Sequence, residues 1–296
     1  MKLLTPTAAL FIVLVHTQLL SAQTGYPMLM ATKPVAAAVG GTSEHTVFAR
    51  YSLDDAYQVL VSGEGVTGEI IPEEQKPEDE KAKEKEKDAK AKGEKKRGRR
   101  ANAETLKVRF TVASDAKPGV RDYRIATPRG VSTVGQLVIG RDPVINEADK
   151  NNTAAEAQSI TLPATVCGVI EAIEDVDIYK FKVEAGKSFA FHVRGLRLCD
   201  RIHDLQEHLD PIITLRNASG ATLATADNEF AGDPFLSYRF HEAGEYLLEV
   251  RDVRYKGNQY PNYSVEISDR PFVIVAFPLA AARGADTRLE QIGAQM

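Results

Sequence analysis

The sequence predicts an all-β protein built from two antiparallel β-sandwiches. Short apolar runs alternate with polar residues at a period of two, and clusters of Gly, Pro, Asp and Asn separate the runs. The chain has 296 residues, of which 43% are hydrophobic, so its length is sufficient for about two domains. The net charge of -4 argues against a nucleic-acid partner, which would require a basic face.

The first residues have the pattern of a secretory signal peptide. Lys2 precedes an apolar run, and the small residues Ser21 and Ala22 follow it. An N-terminal membrane anchor is the alternative, but the run is short and interrupted. We therefore assign residues 1–22 to a signal peptide, and expect a secreted, periplasmic or cell-surface protein without stable membrane insertion after cleavage.

Residues 26–142 are predicted to form the first sandwich. In the run LKVRFTVA, Val108, Phe110 and Val112 alternate onto one face. Residues 73–103 interrupt this domain with a charged insertion that has no aromatic residue and almost no large aliphatic one. Such a composition predicts a flexible, solvated loop, and the runs that flank it, GEGVTGEII and LKVRFTV, are expected to be neighbouring strands. The basic end of the insertion, KKRGRR, is a candidate contact for anionic polymers, although a solvated charge run is the simpler interpretation.

Residues 158–270 are predicted to form the second sandwich. The runs DIYKFKV, KSFAFHV and NYSVEIS alternate between apolar and polar residues. The one helical pattern lies between Cys199 and Leu209, in a predicted insertion between strands. Export permits a disulfide between Cys167 and Cys199, and two separate buried thiols are the alternative.

The predicted linker, residues 143–157, contains many oxygen-bearing side chains. Glu147, Asp149 and Asn151 occupy alternate positions, so an extended strand would place them on one face. Three hard oxygen donors in a row favour a cation, and calcium takes about six to eight oxygen ligands. A solvated acidic linker, in which Asn152 caps a helical turn, is the alternative.

The second domain resembles the bacterial pre-peptidase C-terminal domain, which is similar to collagen-binding domains. The resemblance covers residues 147–267, and its motifs are NEADKNNTAAEA, VCGVIEAIEDVDIYKFKVEAGKSFAFHV, LDPIITLRNASGATLATADN and AGEYLLEVRD. It implies a jelly-roll-like sandwich without catalytic machinery. The first domain more loosely resembles Ig-like or IPT-like domains, through YPMLMATKPVAAAVGGTSEH and DAKPGVRDYRIATPRGVST. The order of the two domains, an Ig-like or IPT-like domain followed by a pre-peptidase C-terminal-like domain, is similar to that in exported planctomycete-type multidomain proteins.

The same resemblance implies a set of calcium ligands. Some members, such as the collagen-binding segments of clostridial collagenases, bind calcium at the entry linker and also bind a fibrous substrate. This chain departs from the calcium-binding pattern in one position, where Glu174 stands in place of Asp. The implied ligands are Glu147, Asp149, Asn151, Asn152, Glu174 and Asp177.

A short internal repeat predicts that residues 271–296 begin a further, truncated Ig-like domain. KPVAAAVGG in the first domain is similar to FPLAAARGA near the C-terminus, so that Pro34 aligns with Pro278 and Gly40 with Gly284. A chance match between Ala-rich segments is the alternative.

A loop in the second domain, RDVRYKGNQYPNY, is the candidate binding surface. Its Tyr255, Tyr260 and Tyr263 lie among several cations, a combination common at binding sites. The partner would be an extracellular polymer or a cell-surface protein. A long hairpin loop with its rings packed against the domain is the alternative.

The sequence predicts a protein that is not an enzyme. It contains no Gly-x-Ser-x-Gly elbow, no His-Glu-x-x-His pair, and no phosphate-binding or dinucleotide-binding Gly-rich loop. We expect a non-catalytic, exported binding or adhesion protein, or a spacer in a longer repeat protein, with calcium stabilising the interdomain linker. The alternative is an accessory domain of a secreted peptidase or other hydrolase.

Overall fold

A computed structural model describes residues 26–51, 53–72, 103–148, 150–199 and 208–295. These residues form an all-β protein of paired, mainly antiparallel sheets, which confirms the predicted fold class. The predicted signal peptide lies outside the described residues, as does the charged insertion except for its last residue, Ala103, which begins a strand. No helix in the described ranges is long and apolar enough to span a bilayer.

The first sandwich packs a four-stranded sheet against a five-stranded sheet. One sheet has the strand order β1-β3-β6-β5; the other has the order β2-β9-β7-β4, and β8 pairs with β7. The strands are β1 (Met28–Lys33), β2 (Ala36–Ala38), β3 (Thr42–Arg50), β4 (Gln58–Val61), β5 (Val66–Ile70), β6 (Ala103–Val112), β7 (Gly119–Thr127), β8 (Gly130–Val131) and β9 (Gly135–Gly140).

The core of the first sandwich follows from the alternation of β6. Val108, Phe110 and Val112 are all buried, and the edge of the Phe110 ring meets the Tyr123 ring at 5.2 Å between centroids. β5 pairs with β6 in an antiparallel register, as expected for strands that flank the charged insertion. The insertion therefore leaves and re-enters the domain at neighbouring strands.

The second sandwich packs two five-stranded sheets. Their strand orders are β10-β12-β19-β14-β17 and β11-β13-β18-β15-β16. The strands are β10 (Val144–Asn146), β11 (Gln158–Ser159), β12 (Ala164–Val169), β13 (Val176–Val183), β14 (Ser188–Arg194), β15 (Pro211–Asn217), β16 (Thr222–Ala226), β17 (Phe235–Arg239), β18 (Gly244–Asp252) and β19 (Asn262–Ser268).

Apolar residues from alternate positions of β13, β14 and β19 fill the second core, as their alternation predicts. The Phe181 ring lies 6.0 Å from the Phe191 ring and 6.1 Å from the Phe240 ring, between centroids. The sheets are mainly antiparallel, as predicted, with three parallel pairs at their edges: β2–β9, β10–β12 and β11–β13. The linker strands β10 and β11 thus each extend one sheet of the second sandwich.

A short helix, α1 (Leu196–Cys199), follows β14. It begins three residues before the predicted helical segment, since the Asp233 carboxylate accepts hydrogen bonds from the backbone N–H groups of Gly195, Leu196 and Arg197. A side-chain oxygen at this position satisfies N–H groups that have no partner within the helix. Most of the predicted helix, residues 200–207, lies outside the described residues.

The two sandwiches share part of one core. Met30 of β1 is fully buried and packs with the core residues of the second sandwich, next to Tyr263 and Val265. The Asn262 side-chain amide donates a 2.7 Å hydrogen bond to the Thr32 carbonyl oxygen. The domains are therefore in fixed contact at this junction, and the linker is not their sole connection.

The two cysteines are separate buried thiols, which is the simpler of the two alternatives. Burial raises the pKa of Cys167 to about 12, so this thiol is not a nucleophile at neutral pH. We expect Ellman's reagent to react with Cys167 and Cys199 only after the protein is unfolded in guanidinium chloride. Rapid reaction of both thiols in the native protein would contradict this burial.

After the second sandwich, β20 (Phe272–Phe277) and β21 (Glu290–Ala294) form an antiparallel hairpin. The Phe272 ring packs 4.8 Å from Phe235 and 4.7 Å from His192, between centroids. Arg270 forms a two-point ion pair with Asp142 at the end of the first sandwich. The base of the hairpin is thus attached to both domains.

Candidate metal centre

A cavity of about 440 Å³ lies at the junction between the two sandwiches. Residues 32–35 of the first sandwich form one wall, and residues of the linker and second sandwich form the rest. Glu147, Asn152 and Asp175 line the cavity, and Lys33 lies 3.6 Å from Glu171 across its mouth. The site therefore joins residues from both domains to the linker that the sequence singled out.

The linker strand β10 positions Glu147. Because β10 runs parallel to β12, the Glu147 backbone N–H donates a 2.8 Å hydrogen bond to the Cys167 carbonyl oxygen. The Glu147 Oε2 atom then accepts a 2.8 Å hydrogen bond from the Val169 N–H. The carboxylate is thus directed inward, towards the second sandwich.

Gly168 makes room for this carboxylate. A Cβ at Gly168 would lie 2.4 Å from the Tyr263 hydroxyl oxygen and 2.8 Å from Glu147 Oε2. Both distances are too short for any side chain, so only glycine permits these two polar groups to approach the strand.

Asp177 of β13 does not line the cavity and has no exposed surface. Its Oδ2 atom accepts a 2.6 Å hydrogen bond from the Tyr263 hydroxyl, which itself lies 2.6 Å from the Tyr179 hydroxyl. Because Tyr263 donates its proton to Asp177, Tyr179 must donate to Tyr263. The Asp177 Oδ1 atom is buried and accepts no hydrogen bond from an N–H or hydroxyl group of the described residues, and the Asp177 carboxyl group hydrogen-bonds to the Glu147 carboxyl group when the pair holds a proton.

The Glu147 and Asp177 carboxyl groups face each other. Burial raises the pKa of Asp177 well above its ordinary value, and the neighbouring Glu147 raises it further. Burial also raises the pKa of Glu147, and the charges of Asp175 and Glu171 act in the same direction. Because Asp177 is fully buried and Glu147 is half-buried, a charge on both carboxyl groups at once is disfavoured unless a cation lies between them, so a shared proton or a cation is favoured.

Two linker asparagines and Asp175 lie beside the start of β13, which carries Asp177. Asn151 is buried, and neither its Oδ1 nor its Nδ2 atom has a partner among the described residues. Its carbonyl oxygen accepts a hydrogen bond from the Ile178 N–H, which holds it beside β13. The Asn152 amide donates a 2.9 Å hydrogen bond to Asp175, and Asp175 also accepts a 2.7 Å bond from the Glu171 N–H.

The arrangement suits an oxygen-ligated cation such as calcium. Unpartnered buried polar atoms are rare in folded proteins; Asn151 Oδ1 is one of them, and Asp177 Oδ1 accepts no hydrogen bond from an N–H or hydroxyl group of the described residues. In the described ranges no three His, Cys, Asp or Glu side chains converge as a ready-made metal-binding group. Amide, backbone and water oxygens would complete the coordination of a cation, as is usual for calcium.

Two of the six predicted ligands, Glu147 and Asn152, line the cavity. Asn151 and Asp177 are buried and do not line it, and Asp149 lies outside the described residues. Glu174 is exposed and does not line the cavity. It occupies a left-handed turn with φ of 65°, and its N–H group donates to the Tyr255 carbonyl oxygen.

Asp175 takes the place that the sequence analysis gave to Glu174. The signal was present, because Asp175 directly precedes β13 and lies two residues before Asp177, and alternate residues of an extended chain share a face. We therefore correct the predicted acidic turn from Glu174 and Asp177 to Asp175 and Asp177.

Of the three tyrosines predicted to form a binding surface, only Tyr255 is exposed. Tyr263 is fully buried in the second core and Tyr260 is 8% exposed, so the prediction that these rings bind a partner is wrong. Tyr255 is 45% exposed, and the Arg251 guanidinium carbon lies 4.3 Å from the centre of its ring. Tyr255 alone keeps the geometry of a binding residue.

No protein-family model matches the chain, and no curated protein matches it either. Parts of the chain are similar to solved structures. The pre-peptidase C-terminal domain of collagenase from Bacillus anthracis is 19% identical, with 40% of this chain and 100% of that domain covered at a TM-score of 0.31.

Two other solved structures show similarity of the same order. PliG, a periplasmic lysozyme inhibitor of g-type lysozyme from Aeromonas hydrophila, is 18% identical, with 43% of this chain and 99% of that one covered at a TM-score of 0.27. SGBP-B of the Bacteroides ovatus mixed-linkage glucan utilization locus, in complex with a heptasaccharide, is 9% identical, with 79% and 72% covered at a TM-score of 0.21. Similarity at this level carries no functional argument.

Proposed function

We propose that the chain is a non-catalytic, exported binding protein whose two sandwiches are held together by a calcium ion at their junction. The observation that supports this is the pairing of the half-buried Glu147 carboxyl group with the fully buried Asp177 carboxyl group, close to the unpartnered Asn151 side chain and beside a cavity that both domains line. A bound calcium ion would neutralise the carboxyl pair and fix the linker against the second sandwich.

A carboxyl pair with raised pKa values is also the signature of acid–base catalysis. That function requires contact between the titrating group and a substrate. Asp177 has no exposed surface, and its Oδ2 atom is bonded to the Tyr263 hydroxyl. A substrate in the cavity could not exchange a proton with Asp177, so the geometry favours a structural ion over a catalytic acid.

The Tyr255 loop is the surface proposed to bind an extracellular polymer or cell-surface protein. Tyrosine stacked with arginine is a common composition of binding hot spots, and aromatic rings suit sugar and collagen surfaces. The Glu174 N–H donates a 3.0 Å hydrogen bond to the Tyr255 carbonyl oxygen, and the Asn258 N–H donates one of 3.0 Å to Ile170. The loop is therefore attached to the acidic turn that carries Asp175, so an ion that orders the turn would also order Tyr255.

Surface plasmon resonance against collagen, peptidoglycan and polysaccharides tests this function. We expect at least one polymer to bind, more tightly in calcium than in EGTA, and Tyr255→Ala to weaken binding by about tenfold or more, as for a hot-spot residue. Tyr57→Ala, at a 67% exposed tyrosine of the first sandwich, is the matched control and should bind as the wild type does. Absence of binding to every polymer, or equal loss in both variants, would count against the proposal.

A further inference from the structure

The C-terminal hairpin repeats the opening strands of the first sandwich. With Pro278 placed on Pro34 and Gly284 on Gly40, β20 corresponds to β1 and β21 to β3. Gly40 and Gly284 both adopt the left-handed region, with φ of 74° and 77°. The sequence repeat is therefore also a repeat of backbone conformation.

The pairing of the strands agrees residue by residue. The register shifts between Leu29 and Ala31 in β1, and between Val273 and Val275 at the equivalent place in β20. An irregularity of this kind sets the local bend and twist of a strand pair. The equivalent pairs are Met28–Arg50 and Phe272–Ala294, Leu29–Ala49 and Val273–Gly293, Ala31–Phe48 and Val275–Ile292, Thr32–Val47 and Ala276–Gln291, and Lys33–Thr46 and Phe277–Glu290.

The equivalence identifies one edge of the hairpin as a docking edge. In the first sandwich β1 is an outer strand, whereas β3 lies between β1 and β6. In the hairpin, no described strand lies beside β21 on the edge that corresponds to the β6 side of β3. Such an edge presents a row of N–H and C=O groups that a further strand can pair with.

The equivalence also identifies an open apolar face. Leu29 and Val35 are each 3% exposed. Leu29 packs in the core of the first sandwich, and Val35 packs with Val138 of β9 and with Cys167 and Leu198 of the second sandwich. The counterparts of Leu29 and Val35, which are Val273 and Leu279, are 42% and 81% exposed. The hairpin thus carries apolar residues at positions that a complete sandwich buries.

We propose that the hairpin is the first strand pair of a further sandwich of the first-domain type, and that it docks strands equivalent to β4–β9 of such a sandwich, with a β6-like strand along β21. A second copy of this chain, pairing its β21 with this β21, would occupy the edge but would not cover the apolar face.

One position of the hairpin departs from the first sandwich. Gln291 is exposed where the equivalent Val47 is fully buried. An amide at a core position lowers the stability of any sandwich completed on this hairpin unless a partner satisfies it. Replacing Gln291 with valine should therefore strengthen the docking.

A fusion protein tests the proposal. In the fusion, a second copy of residues 53–142, which contain β4–β9, is appended after residue 296 of the full chain. Residue 296 corresponds to residue 52 in the repeat, so the appended strands follow the hairpin as β4–β9 follow β3 in the first sandwich. Tethering provides a high effective concentration of the partner strands. In the fusion we expect hydrogen exchange of the β21 amides, and thiol labelling of a Leu279→Cys variant, to slow by roughly tenfold or more relative to the unfused chain.

Two further fusions make the result decisive. Gln291→Val should increase the protection, and Phe110→Asp in the appended copy should abolish it, because Phe110 is a fully buried core residue of the first sandwich. If neither the original fusion nor the Gln291→Val fusion protects β21, the proposal is wrong. It is also wrong if the unfused chain forms a dimer in analytical ultracentrifugation that itself protects the β21 amides.

Discussion

Calcium is expected to raise the melting temperature of this protein by about 5–10 °C when its concentration is about 100 times the Kd, because the ion binds only the folded state. The shift should be larger near pH 8 than near pH 5. The raised pKa values of Glu147 and Asp177 mean that the pair holds a proton at the lower pH, and calcium must displace it. Differential scanning calorimetry at both pH values measures the effect.

The calcium-free protein should show the opposite pH dependence. A carboxyl group whose pKa is raised by folding adds stability below its unfolded pKa, and that stability is lost as the pH rises through the folded pKa. The stability that Asp177 contributes is therefore complete below its unfolded pKa of about 4. It decreases as the pH rises and is lost above the raised pKa of about 9 in the folded protein. Melting temperatures in EGTA should decline across that window.

Variants of the carboxyl pair separate ion binding from general destabilisation. Asp177→Asn should abolish the calcium shift, yet leave the calcium-free protein at least as stable near pH 8 as the wild type, because asparagine, like a protonated Asp177, places no charge beside Glu147 and needs no raised pKa to do so. Glu174→Gln is the matched control, since Glu174 is exposed and outside the cavity, and should retain the full shift. A shift that survives Asp177→Asn, or disappears in Glu174→Gln, would contradict this assignment.

Met30→Ala is expected to lower the free energy of unfolding by about 2–5 kcal/mol, the usual cost of the cavity left by a large buried side chain. Met30 is fully buried against the second sandwich although it belongs to the first. The described domains should therefore unfold in one calorimetric transition, and the variant should move that transition as a whole.

Leu60→Ala is the control for this prediction. Leu60 lies on β4 and is 40% exposed, so the substitution should change stability by no more than about 0.5 kcal/mol. Two transitions in the wild type, with Met30→Ala moving only one of them, would show that the sandwiches do not share a core.

Alternation of apolar residues predicted the strands and their inward faces well. Phe110 in the first sandwich and Phe181 in the second lie in the cores that the period of two indicated. The parallel pairs were not predicted, because β2, β10 and β11 are two or three residues long and carry no periodic signal. Whether each of these short strands runs parallel or antiparallel depends on the edge strand with which it pairs, and not on its own sequence.

The candidate site was predicted in composition but not in detail. Oxygen donors in the linker indicated the position of Glu147 and Asn151, and a strict count of alternate residues would have chosen Asp175 over Glu174. Tyr263 was treated as a surface residue because its loop is rich in tyrosine and cations. Its role, donating a hydrogen bond to a buried carboxylate, depends on a contact between distant strands that no local pattern reveals.

Isothermal titration calorimetry with calcium, in two buffers of different ionisation enthalpy, tests the central proposal most directly. We predict one ion bound per chain, the release of about one proton near pH 7, and loss of both signals in Asp177→Asn. Binding without proton release, or binding that Asp177→Asn leaves intact, would contradict a cation held between Glu147 and Asp177.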